Sequence, residues 1–212
     1  MKKPLTKKQT DFLDRITKKC KSKWKLNGKT GLVDVDGHFD IRGKRFKSFS
    51  GIKFGKVTGS FDCSHNKLTS LQGAPKKVEG SFKCNSNKLT RLIGAPQEVG
   101  EDFYCDHNQL TSLEGAPQKV GGYFDCNRNK LTSLEGAPQE VGGSFYCYEN
   151  PITANTLELI LKVMQTKGLE YKLALSSVKS KIQVKEWELL SKDVKFVSED
   201  EELGVRILGR IL

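Results

Sequence analysis

The chain lacks most of the runs and motifs that mark enzymes and membrane proteins. No apolar run approaches the 18 or so residues that span a bilayer, so no transmembrane helix and no membrane partner are expected. Histidine occurs three times in 212 residues, as His38, His65 and His107. Cysteine occurs six times but never in the close C-x-x-C pairs that hold zinc, so no metal is expected. No phosphate-cradling glycine loop with a following Lys, no H-E-x-x-H and no G-x-S-x-G is present. The chain is therefore expected not to be an enzyme, with no catalytic residue, no cofactor and no small-molecule substrate. Apolar residues make up 36%, low for a globule with one central core but sufficient for repeats that bury only against their neighbours. The opening Met-Lys-Lys-Pro-Leu-Thr-Lys-Lys has no apolar segment behind it. It does not read as a signal peptide, and a cytoplasmic location is the simplest expectation.

Acidic residues are scarce in one place only. Residues 1–56 hold 17 Lys and Arg against 5 Asp and Glu, whereas residues 57–150 hold 9 against 11. The net charge of +11 thus belongs to the N-terminal segment. There Lys18, Lys19, Lys21, Lys23 and Lys25 surround Trp24, a pattern that could grip nucleic acid or an acidic protein. No nucleic-acid fold motif accompanies the charge, and a Lys-rich face also serves simply to keep a cap soluble.

A 21-residue unit is present in abundance. Copies run over 57–77, 78–98, 99–119 and 120–140, with a partial one at 141–152. Each keeps the skeleton V-x-x-x-F-x-C-x-x-N-x-L-T-x-L-x-G-A-P or a near variant. Self-similarity at such a period is the sequence mark of a solenoid. F-x-C reads as a short strand with Phe and Cys turned inward. The Asn column (Asn66, Asn87, Asn108, Asn129, Asn150) stands at the bend after it, where an amide can serve free backbone groups. Leu-Thr-x-Leu turns two more side chains inward, and Gly-Ala-Pro marks an extended return rather than a helix. Residues 35–56 are a degraded copy: Val35, Gly37, Phe39, Ile41, Phe46, Phe49 and Gly51 each precede a regular-copy counterpart by 22 positions.

Residues 5–21 read as an amphipathic helix opened by a capping box at Thr6 and Gln9. The Asn27-Gly28 turn joins two apolar stretches as a hairpin. Helix and hairpin (1–34) are expected to cap the first coil. After Asn150-Pro151 the pattern stops. Apolar spacing predicts helices over 154–166, about 169–178, about 182–192, and a last one opened by Ser198 and Glu201 that carries Leu203, Val205, Ile207, Leu208 and Ile211. These give a helical C-terminal region, 153–212, whose first helix would cover the last repeat's open edge.

The Cys column (Cys63, Cys84, Cys105, Cys126, Cys147) occupies a small inward apolar position and reads as core. His65 and His107 share a repeat position and read as exposed bend residues. The acids of Asp34–Asp40 do not follow the ligand order of a calcium loop and read as a turn.

If Phe and Cys face inward, their neighbours face out. Three outward columns follow: Ser60, Ser81, Asp102, Tyr123, Ser144; then Asp62, Lys83, Tyr104, Asp125, Tyr146; then Ser64, Asn85, Asp106, Asn127, Tyr148. Four of the protein's five tyrosines lie there. Tyrosine gives large contact area at low entropic cost and concentrates at protein interfaces, although it also favours exposed strands for their own sake. The acids among the tyrosines argue against phosphate binding on this face.

The skeleton resembles the leucine-rich repeat, with Phe61 and Cys63 at its strand positions, Asn66 at its Asn and Leu68 at its last Leu. More closely, L-T-S-L-E-G-A-P-Q-x-V-G-G-x-F-x-C resembles leucine-rich repeat proteins of tailed bacteriophages, and the short unit is similar to that of bacterial leucine-rich effectors. The resemblance implies an α+β solenoid with a parallel sheet on a concave face and an extended convex side. It also implies a non-enzymatic scaffold that binds a host bacterial protein, for example an antiviral defence factor, and inhibits or redirects it. The residues expected to carry that contact are Asp62, Lys83, Asp102, Tyr104, Asp106, Tyr123, Asp125, Tyr146 and Tyr148. Nucleic-acid binding through the basic N-terminus and a structural role in a virion are the alternative expectations.

Overall fold

The computed structural model describes residues 4–152 together with three short strands at 172–175, 195–197 and 205–208. The described chain opens with helix α1, Lys7–Cys20. Thr6 and Gln9 form the reciprocal capping box, and Lys21 closes the helix in the left-handed conformation at φ 54°. Strands β1 (Lys23–Leu26) and β2 (Val33–Asp36) pair antiparallel across the Asn27 turn. Leu13 and Ile16 of α1 are buried, and the Phe12 ring packs edge-on against Phe39 and Phe46. The helix thereby covers the apolar end of the first coil.

From Val33 to Tyr146 the chain winds as a β-solenoid, and each coil contributes two short strands to two separate sheets. One series is β3 (Phe39–Asp40), β5 (Phe61–Asp62), β7 (Phe82–Lys83), β9 (Phe103–Tyr104), β11 (Phe124–Asp125) and β13 (Ser144–Tyr146), all parallel and in register. The other is β4 (Phe54–Val57), β6 (Lys77–Val78), β8 (Glu98–Val99), β10 (Lys119–Val120) and β12 (Glu140–Val141), joined to β2. The return side, expected only as extended chain, is thus a second parallel sheet. From β6 onward two residues per strand leave little periodicity to read. Gly100 and Gly121 allow successive coils to approach there, since a Cβ on Gly121 would run into the Gly100 carbonyl oxygen.

Between the sheets the repeat positions become columns. Phe39, Phe61, Phe82, Phe103, Phe124 and Phe145 form a spine of near-parallel rings with centroids 5.0–5.7 Å apart. The Val, Cys and Leu columns fill the remaining core and are almost wholly buried. The Asn column binds coil to coil. Asn108 Nδ2 donates to the carbonyls of Cys84 and Cys105, 3.1 Å each, while its Oδ1 accepts from the Leu89 N–H at 3.0 Å. The preceding residues (His65, Ser86, His107, Arg128, Glu149) are all held left-handed at φ 51–54°, so the bend needs no glycine.

At the C-terminal side the helix expectations fail where residues are described. Strand β14 (Lys172–Leu175) pairs parallel with β13, and β15 (Lys195–Val197) and β16 (Val205–Leu208) pair antiparallel with each other, β16 also pairing antiparallel with β14. The apolar residues at 173, 175, 205 and 207 that were read at helical spacing also alternate, and the unpaired edge of β13 supplies hydrogen-bond partners that select a strand. The edge of β13 is therefore met by strand β14. The helices expected over 154–166 and 182–192 lie outside the described residues. Among the described residues no helix is long and apolar enough to cross a membrane.

Candidate functional site

The solvent side of the Phe sheet is built by the ladder Asp40, Asp62, Lys83, Tyr104, Asp125, Tyr146, one residue from each coil. Rungs of a parallel sheet are about 4.8 Å apart, so residues 21 apart in sequence are direct neighbours. Three of the expected contact residues, Tyr104, Asp125 and Tyr146, are consecutive rungs. Tyr123 joins them from the column before: its ring lies 5.9 Å from that of Tyr146, and at 45% exposure it is among the most open large apolar side chains described.

The acids divide by what they already hold. Asp62 Oδ1 accepts from both the N–H and the hydroxyl of Ser64, and its Oδ2 lies 3.9 Å from the Arg42 guanidinium. It is a turn residue two rungs from Tyr104 and stands apart from the tyrosine group. Asp102 accepts from the Tyr123 N–H at 2.8 Å and from the Tyr104 hydroxyl at 3.1 Å, so both oxygens position tyrosines. Asp106 lies 2.7 Å from His107 Nδ1. Asp125 Oδ1 accepts from the Asn127 N–H, and among the described residues no cation lies within 4.0 Å of its carboxylate. Burial pushes the Asp125 carboxyl up to about 6, helped by the nearby Asp106 charge and opposed by the Asn127 hydrogen bond, His107 and Arg128. Burial and then Asp102 push the Tyr104 phenol up to about 12. Burial and then Asp125 raise Tyr148 in the same direction. Lys83 joins the group from its own rung, with its ammonium 5.5 Å from the centre of the Tyr104 ring.

Sequence reasoning missed the exposed edge beside this group. Arg128 Nε donates to Glu149 Oε2 at 2.9 Å, and its Nη1 lies 2.9 Å from His107 Nε2. His107 is the exposed bend residue expected, but it links Asp106 to Arg128. The signal available was the left-handed column itself, whose identities change from copy to copy.

At the N-terminal end Lys18, Lys19, Lys21, Lys23 and Lys25 are exposed, and among the described residues none has a carboxylate within the 4.0 Å of an ion pair. Trp24 is not free among them. Its indole N–H donates to Asp14 at 2.7 Å and its ring packs on the core. Asp34 accepts from the Lys56 N–H and from Asn27, and Asp36 from Thr58, so these acids serve the turn rather than a cation. The five column cysteines are buried, and burial pushes every one of their thiols up, that of Cys147 to about 12. Such thiols are unreactive core. Comparison with protein-family models, with curated proteins and with solved structures finds no match.

Proposed function

We propose that the chain is a leucine-rich-repeat-type binding scaffold that docks a protein partner on the solvent side of its Phe sheet and carries out no chemistry. The observation that supports this most is the convergence of Tyr104, Tyr123 and Tyr146 around Asp125 on a frame whose Phe, Asn and backbone columns leave little freedom. Aromatic anchors on a rigid support lose little entropy on binding, which is what concentrates affinity in a few residues. The likeness of the repeat skeleton to phage leucine-rich repeat proteins supports a host bacterial protein as the partner and occlusion of that protein as the consequence.

The test is capture from host lysate by the full chain and by Tyr123→Ala/Tyr146→Ala. Each anchor is expected to contribute about 2 kcal/mol, so the double variant should bind the partner about a thousand-fold more weakly. Undiminished capture by the double variant would refute the reading of this face. The cations of the N-terminal end, without an ion-pair partner among the described residues, favour a second reading, nucleic-acid binding there. It requires an affinity that falls steeply with salt, and no gel shift with DNA or RNA at low salt would exclude it.

A further inference from the structure

We propose that the partner presents an arginine side chain to this face, and that its guanidinium seats on the Asp125 carboxylate between the rings of Tyr104 and Tyr146. The inference rests on the docking face proposed above and names the chemistry of what docks there.

The same ladder position shows the arrangement within the molecule. Three coils place an aspartate on it: Asp40, Asp62 and Asp125. Each makes the same turn, accepting from the N–H two residues on. In the first two coils one guanidinium serves both carboxylates, with Arg42 Nε 3.4 Å from Asp40 and Nη1 3.9 Å from Asp62. Four coils on, the counterpart of Arg42 in Asp125's own coil is Asn127, whose side chain accepts from the Tyr148 N–H, and the counterpart in the coil before it is Asp106. Asp125 is thus an aspartate of this column whose cation is missing among the described residues. The guanidinium of Arg128 is committed elsewhere, to Glu149 and His107.

The walls suit the same guest. Tyr104 and Tyr146 flank Asp125 on adjacent rungs, and Tyr123 extends the Tyr146 side outward. A cation over a phenol ring is already realised on this face by Lys83 on Tyr104. Guanidinium is planar, stacks on aromatic faces and is weakly hydrated, so it gains more here than an ammonium would. An anion is opposed by Asp102, Asp106 and Asp125. An uncharged apolar side chain would bury the carboxylate further without compensating it. The raised carboxyl of Asp125 agrees with a charge that the free protein leaves poorly satisfied.

The probe is N-acetyl-arginine amide, titrated into the full chain while the tyrosine ring signals are followed by NMR. Saturable shifts at Tyr104 and Tyr146 are expected, with about ten-fold weaker binding for Asp125→Asn and no weakening for Glu114→Gln, an equal charge change away from the site. The neutral isostere N-acetyl-citrulline amide should leave the rings unmoved. Equal shifts with citrulline, shifts centred away from these rings, or indifference to Asp125→Asn would each overturn the proposal. Lysate capture separates its failure from that of the docking face. A partner lost by the double tyrosine variant but held fully by Asp125→Asn leaves the face standing and removes the arginine.

Discussion

Replacing Asn108 tests whether the coils are held by the asparagine column or only by apolar stacking. Its amide makes four hydrogen bonds, but the groups it serves are not equally dependent on it. The Cys84 carbonyl also accepts from Asn87 Nδ2, the Cys105 carbonyl from Asn129 Nδ2, and the Asp106 carbonyl from the Ser86 N–H. Only the Leu89 N–H, inside the coil beside a fully buried side chain, has Asn108 as its acceptor. Asn108→Ala therefore orphans one buried donor, at about 1–3 kcal/mol, and removes three shared bonds of under about 1 kcal/mol each. A loss of about 3–4 kcal/mol is expected by urea unfolding. Asn108→Asp keeps the acceptor for Leu89 but turns a lone pair and a charge toward three carbonyls. It should be worse than Ala at pH 7. Protonation removes the charge and restores one donor, so Asp should recover part of the deficit as the pH falls below its raised carboxyl value. An Asp variant as stable as the wild type at neutral pH, or an Ala variant within about 0.5 kcal/mol of it, would refute the account of the column.

Two further outcomes follow from the burial of charge and thiol. Asp125→Asn keeps an acceptor for the Asn127 N–H and removes a carboxylate whose folded-state value stands near 6 rather than the usual 4. Because the fold raises this carboxyl, its charge costs stability above pH 6, and the cost fades as the pH falls toward 4. The variant should be more stable than the wild type by about 3 kcal/mol at pH 8 and by under about 1 kcal/mol near pH 4, by denaturant unfolding at both. Titration of the native protein with a thiol reagent should show the half-buried Cys20 reacting fast and the five column cysteines only on unfolding, and fast labelling of more than one thiol would refute the inert-core reading.

The repeat made much of the interior legible before any coordinates. A position that returns as Phe or Cys every 21 residues has to face a common core, and the Asn column had to serve backbone at a bend. The second sheet was not legible because its strands in the regular copies, β6, β8, β10 and β12, are two residues long and lie between Pro and Gly. Their pairing exists only through the neighbouring coil, as in Lys119 and Val120 beside Glu98 and Val99. The strands at 172–175 and 205–208 were misread because their apolar residues satisfy two periodicities, and the choice was made by an edge that local sequence does not show.

The candidate site was half legible for a related reason. Outward columns could be listed from alternation, so Tyr104, Asp125 and Tyr146 were found. Whether an acid there was available or already engaged depended on residues two positions or one coil away. Asp62 and Asp125 are the same letter in the same repeat column, with the same turn hydrogen bond. They differ because the coil before Asp62 supplies Arg42, whereas at the same place the coil before Asp125 supplies Asp106. In a solenoid each outward side chain has neighbours one period before and after it, so one substitution in one copy changes the surroundings of two others. Which outward groups stand free is therefore set by the differences between adjacent copies rather than by any copy alone, as along the ladder from Lys83 through Asp125 to Tyr146.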